Sequence, residues 1–181
     1  MNIFYLDPDP KTCARYHLDK HVVKMIVEYA QLLSTAHRVL DGEEYYDLSK
    51  NGRKVKRFKL PNIGLERVLY KACHINHPSA IWVRHSTENY RWLFKLWNEL
   101  CKEYTHRYNR QHATFIKLAI DLVQLPKNIP KNIFTQPTLA MPEYCKNDDA
   151  LISYRTYYIN EKLYMAKYTK REIPEWLQEN A

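Results

Sequence analysis

The sequence predicts a mainly α fold, a compact single-domain helical bundle with an extended N-terminal segment and a basic hairpin-like loop. Three observations carry this expectation. Apolar residues recur at helical spacing over long stretches. Helix starts are marked by capping residues and prolines. Only three glycines occur, and the strand–helix alternation of a parallel sheet is missing. At 181 residues the chain has the size of one domain.

The elements follow in order. Residues 2–6, "NIFYL", are a short apolar run that suits a strand or an extended arm. Asp9 caps a helix with Pro10 at its first position. Helical periodicity then runs from about Lys11 to Leu40, and "DG" at 41–42 stops it. In "EEYYDLSKNGRKVKRFKLP", Asn51-Gly52 predicts a hairpin or an exposed turn. A short helix is expected over 64–72. "INHPSAIWVRHS" leads into a second long helix capped by Ser86, and a third helix covers about 112–123. The core therefore spans 11–123. Residues 124–147 hold four prolines and should be irregular. A Tyr- and Lys-rich last helix is expected from Asp148 to about Lys167.

Lys plus Arg number 28 against 20 Asp plus Glu, a formal charge of +8. That surplus points to a polyanionic partner, because neutralising phosphates releases counterions. DNA is the expected partner, with RNA open. The 15 Tyr and 4 Trp provide rings that can stack on bases as well as fill a core. Cys13, Cys73, Cys101 and Cys145 form no C-x-x-C pair, as in a cytoplasmic chain with reduced thiols. No apolar run is long enough to span a membrane, and the N-terminus lacks the pattern of a signal peptide. No Gly-rich phosphate loop is present, and no cofactor is expected.

The stretch "HLDKHVVKMIVEYAQ" carries His17, His21, Lys24, Glu28 and Gln31 at steps of four, three, four and three, one face of a helix. The surrounding positions are apolar. The line is either a narrow solvent edge or the lining of a site. Apolar surroundings raise the pKa of a carboxylate and a nearby cation lowers it, a mixture that suits acid–base chemistry at Glu28. Lys24 among apolar groups would serve as a neutral amine nucleophile. A solvated Lys24–Glu28 pair is the plainer alternative. A third possibility places a metal on His17 and His21, with His74 and His77 of "HINH" completing the set.

Five cations fall within seven residues: Arg53, Lys54, Lys56, Arg57 and Lys59. They form a solvated loop or a phosphate-gripping arm. Pro78 leaves Asn76 or His77 as a helix cap near which a phosphate can dock, with Arg84 downstream. Asn89 lies on an apolar helix face and needs partners. In the last helix Arg155, Tyr158 and Lys162 share a face that would meet nucleic acid.

The order of three blocks resembles the small bacteriophage pyrimidine-dimer DNA glycosylases of the endonuclease V type, which have AP-lyase activity. "LDKHVVKMIVEYAQL" is similar to that family's D-x-H helix, where a glutamate follows the histidine by seven. "NGRKVKRFKLP" resembles its basic N-G segment, and "NHPSAIWVRHSTENYRWLFKLWNELCKEYTHRYN" its long helix. The resemblance covers roughly residues 11–109. It implies a compact helical domain whose N-terminal segment threads between helices. It also implies Glu28 as the catalytic carboxylate, His21 as an orienting or polarising group, and a terminal α-amine that attacks C1′ of the sugar. Such an amine titrates near ~8 and is partly neutral at working pH. The family's nucleophilic residue is Thr after a removed Met, whereas Met1 here precedes Asn2. The family's two flanking arginines are replaced by Val27 and Gln31. These departures predict a different target, such as a modified base, or a relative that has lost lyase activity.

Catalytic candidates are therefore Glu28, Lys24, His21 and the amine of Met1. A non-catalytic nucleic-acid-binding protein and a His-coordinated metal hydrolase are the alternatives.

Overall fold

The computed structural model describes residues 1–179, so Asn180 and Ala181 at the end of the tail lie outside the described residues. The elements in chain order are α1 (Pro10–Tyr16), α2 (Asp19–Asp41), β1 (Glu43–Leu48), β2 (Lys54–Lys59), α3 (Ile63–Val68), α4 (Pro78–His85), α5 (Thr87–Tyr108), α6 (Ala113–Leu122), α7 (Ala150–Lys162) and α8 (Glu175–Gln178). The two strands form one antiparallel pair, and helices make up the rest of the regular secondary structure among the described residues.

Helices α2 and α5 form the spine. Their apolar faces bury Val22, Met25, Ile26, Leu96 and Trp97 almost completely. Burying a side chain of this size is worth roughly 1.5–3 kcal/mol. The Trp97 indole N–H donates to the Ile26 carbonyl at 2.9 Å, which satisfies its one polar atom inside the core. Helix α1 packs on α5, while α4 and α6 flank α2.

The helix starts obey the capping signals. Asp9 accepts the Thr12 amide, Ser86 the Glu88 amide and Asp149 the Leu151 amide. His77 caps α4 and His112 caps α6 through their rings. Helix α5 ends at Asn109, whose left-handed backbone (φ 54°) suits an asparagine.

One long helix over 11–40 is not what forms. The chain breaks at His17 and Leu18, both fully buried. In a continuous helix the Asp19 amide would donate to the Arg15 carbonyl. Here it donates to the Lys167 carbonyl at 2.8 Å, and the Arg15 carbonyl accepts from the Arg107 guanidinium at 2.9 Å. The break is thus made by distant residues. Asp19 also binds Arg107 at 2.9 Å and both the amide and the hydroxyl of Thr169. Arg107 is held further by Glu103, and Glu103 by Arg171.

The hairpin expected at Asn51-Gly52 is present, with strands paired from Glu43↔Lys59 to Leu48↔Lys54. Gly52 supplies the left-handed residue of its loop (φ 71°). Helix α3 is shorter than the 64–72 expected. Helix α7, expected to run to about Lys167, ends at Lys162, because Leu163–Met165 tightens into a 3-10 turn and the chain then turns back to Asp19.

Residues 3–6 form an extended, buried arm without a partner strand. Buried backbone groups still need partners, and side chains provide them. The Phe4 amide donates to the Tyr29 hydroxyl at 3.1 Å. The Cys13 thiol donates to the Phe4 carbonyl at 3.2 Å and accepts the Leu6 amide at 3.4 Å. The Leu6 carbonyl accepts from Arg155 Nε at 3.0 Å. The arm therefore threads between α1, α2 and α7.

Candidate active site

Helix α2 turns two neighbouring residues in different directions. Tyr29 is fully buried, while the Glu28 side chain retains 18% exposure. Glu28 meets Lys24 across one helical turn at 3.1 Å. The apolar surroundings expected around Lys24 are not found: its side chain is 67% exposed, and Val23 beside it is also exposed. The burial that favours a neutral amine is absent there.

The line from His17 to Gln31 is therefore not one surface. His17 precedes α2 and lies in the core, His21 is 6% exposed, and Lys24, Glu28 and Gln31 reach the surface to different degrees. His17 donates through Nδ1 to the Cys13 carbonyl at 2.8 Å, since a carbonyl can only accept. Its Nε2 then accepts from the Tyr29 hydroxyl at 2.9 Å. The Tyr29 hydroxyl is left to accept the Phe4 amide. Burial pushes His17 down to about 4. Burial pushes His21 down to about 3, and the neighbouring Lys162, Lys24 and His17, where protonated, act in the same direction. Both rings are neutral at ordinary pH.

His21 Nδ1 meets the Tyr158 hydroxyl at 2.6 Å, and its ring stacks on Phe4 at 4.3 Å between centroids. Tyr158 is fully buried, so it does not belong to a nucleic-acid-facing surface, contrary to expectation. The i, i+3 spacing placed it beside Arg155 but could not tell which side of α7 faces the core. Arg155 holds Leu6 and Asp7 and lies over the Trp176 ring. Lys162 lies over the Tyr157 ring.

The four histidines do not assemble a metal site. Both nitrogens of His17 are engaged inside the core, and His77 uses Nδ1 to cap α4. Among the described residues no group of three or more His, Cys, Asp or Glu side chains has the geometry to hold a metal ion.

The chain's first residue and Glu28 both act on the segment 73–77. Cys73 is half-buried, and Thr35 of α2 exchanges hydrogen bonds with its backbone. Burial raises the Cys73 thiol's pKa and the Thr35 hydrogen bond lowers it, while the Glu28 carboxylate raises it and the terminal amine lowers it. Burial lowers the pKa of the His77 ring; the terminal amine and His74 lower it further, and Glu28 opposes them. Cys73 and His77 thus both feel the Glu28 carboxylate and the Met1 amine, with opposite sign. His74 adds a left-handed bend (φ 48°) that turns the segment over α2.

Arg53, Lys54, Lys56 and Lys59 are exposed on the hairpin, and Arg57 is partly covered. Asn76 is exposed beside His77. Arg84 is partly buried, with Nη1 covered and without a hydrogen-bond partner. Asn89 is structural: it donates to the Trp82 carbonyl and accepts the Thr135 amide. Sequence reasoning missed Tyr29, Cys13 and Cys73. Tyr29 looked like one more core ring, and neither cysteine had a metal or redox spacing.

A family model described as pyrimidine dimer DNA glycosylase matches residues 1–116, nearly two thirds of the chain. That span holds the arm, α2, the hairpin, the 73–77 segment and α4. No curated protein and no solved structure matches.

Proposed function

The chain belongs to the pyrimidine dimer DNA glycosylase family, and from that premise we propose that it excises a damaged or modified base with the amine of its first residue as nucleophile and Glu28 as acid–base group. The amine attacks C1′ of the target nucleotide. The C1′–N bond breaks, the base departs with the bonding pair and is protonated, and the sugar ring opens to leave an imine joined to the protein. Glu28 then accepts a proton from C2′, and elimination releases the 3′ phosphate. Water hydrolyses the imine and regenerates the amine. The target base must leave the duplex stack for this attack.

The observation that carries the reading is the attachment of the chain's first residues to helix α2 next to Glu28. The arm supports the pairing. Its backbone hangs on Tyr29, the residue after Glu28, and its Phe4 ring rests on His21. His21 therefore positions the arm rather than touching substrate. Lys24 holds the Glu28 carboxylate from the solvent side. Holding amine and carboxylate in one geometry makes an otherwise bimolecular step effectively unimolecular.

Glu28→Gln tests the assignment. It should abolish turnover on lesion-bearing duplex while leaving DNA affinity nearly intact. Equal activity in that variant rejects it. The cations of the hairpin, with Asn76 and Arg84, are proposed to bind phosphates of the duplex that carries the reacting nucleotide.

A further inference from the structure

The hairpin carries apolar side chains that the phosphate-binding role does not need. Strand alternation places Glu44, Tyr46 and Leu48 on one face with Lys54, Lys56 and Phe58. Tyr46 is 55% and Leu48 67% exposed. Lys54 Nζ lies 4.3 Å from the centre of the Tyr46 ring, and Lys56 pairs with Glu44 at 3.0 Å. An exposed apolar face on an unpartnered ribbon marks an interaction site. Over residues 43–59 six cations stand against three acids, so the complementary partner is a polyanion.

The base of the hairpin is rigid. A Cβ at Gly42 would fall 2.5 Å from the Arg38 carbonyl, so glycine allows the strand to leave α2 at this angle. Arg38 donates to the Phe58 carbonyl at 2.9 Å, and Glu66 accepts the Leu60 amide at 2.8 Å. Arg38 also shares a helical face with Glu28, Gln31 and Thr35, at steps of three, four and three. The ribbon therefore springs from the side of α2 that carries the candidate carboxylate. From Glu28 to the end of α2 is about 20 Å, or roughly 6 base pairs along a duplex.

We propose that the Tyr46–Leu48 face of the hairpin lies in the major groove of duplex DNA about half a turn from the reacting nucleotide. Lys54 and Lys56 meet phosphates, and Tyr46 and Leu48 make apolar contact with base edges. The major groove admits a two-stranded ribbon, and thymine methyl groups there offer apolar partners. The proposal rests on the DNA-acting reading of the active site and assigns it a second contact region.

The test is fluorescence anisotropy of the full chain with a labelled, undamaged duplex across a salt series. Lys54→Ser with Lys56→Ser should lower the slope of log affinity against log salt by about two. Tyr46→Ser with Leu48→Ser should lower affinity roughly tenfold at fixed salt and leave that slope unchanged. Thermal melts of both double variants should match the parent, because the four side chains are exposed. If the parent binds the duplex and the Tyr46/Leu48 variant binds equally well, the hairpin proposal is overturned and the active-site reading stands. If the parent is an oligomer that the Tyr46/Leu48 variant dissolves, a second copy covers the face and the proposal is overturned. Failure of the parent to bind duplex at any salt overturns both.

Discussion

The Phe4 amide donates to the Tyr29 hydroxyl, which ties the start of the chain to the helix that carries Glu28. The bond is the last in a series running from the Cys13 carbonyl through His17 Nδ1, His17 Nε2 and the Tyr29 hydroxyl. Every donor in the series is buried, so each has a single available acceptor. The register of the arm on α2 is thereby fixed at Phe4.

Tyr29→Phe should therefore affect chemistry more than binding. It leaves the Phe4 amide and His17 Nε2 without partners, at a cost of about 1–3 kcal/mol in stability. The rate of imine formation on an abasic duplex should fall while duplex affinity is kept. An unchanged single-turnover rate would show that the arm is placed by other contacts.

Arg38 is the largest structural dependence outside the core. Its guanidinium donates to the carbonyls of Tyr70, Phe58, Glu66 and Leu69 and to the Glu66 carboxylate at 2.6 Å, and it is 3% exposed. Arg38→Met should destabilise by about 3–5 kcal/mol, since it strands a carboxylate and four carbonyls. For a chain of this length that is roughly a 10 °C drop in melting temperature, measurable by calorimetry. A shift below 2 °C would contradict the clamp.

Acid should weaken the fold before the carboxylates titrate. His17 and His21 are neutral in the fold, with pKa values near 4 and 3 instead of 6.5. Below 6.5 the unfolded chain binds protons at both rings and the folded chain does not. Stability from this source is complete above about pH 7 and falls as pH drops through 6.5 towards 4. By pH 5 the loss is on the order of 2 kcal/mol per ring. Urea unfolding at pH 7.5 and 5 reads it directly, and equal midpoints would mean that the rings are solvated.

Much of the fold was legible because it follows local rules. Asp9-Pro10, Ser86 and the proline spacing of 124–147 marked boundaries that the structure keeps, and Asn51-Gly52 marked the hairpin. The break at His17–Leu18 was not legible, since it depends on Lys167, 148 residues from the Asp19 amide it accepts, and on Arg107, 92 residues from the Arg15 carbonyl it binds. The same limit applied at the site. Helical spacing aligned His21, Lys24 and Glu28, but burial divided them. Tyr158 shared a helical face with Arg155, yet only tertiary packing revealed that it points inward to His21. Cys73 and His77 come under the influence of both the first residue and Glu28 through chain topology, which no local pattern encodes.

Lys24 and the terminal amine make opposite predictions for one variant. Lys24 is exposed and tied to Glu28. Lys24→Ala should preserve imine chemistry and alter only the environment of the carboxylate, with single-turnover rates within about tenfold of the parent. A loss of all activity would move the nucleophile to Lys24.

The central claim, that the first residue's amine attacks the sugar beside Glu28, is tested most directly by borohydride reduction. The full chain is mixed with duplex carrying an abasic site, the imine is reduced, and the adduct is mapped by peptide mass spectrometry. The account predicts a sugar adduct on the first residue, in both the parent and Lys24→Ala. An adduct on any lysine, or no adduct at all, would contradict it.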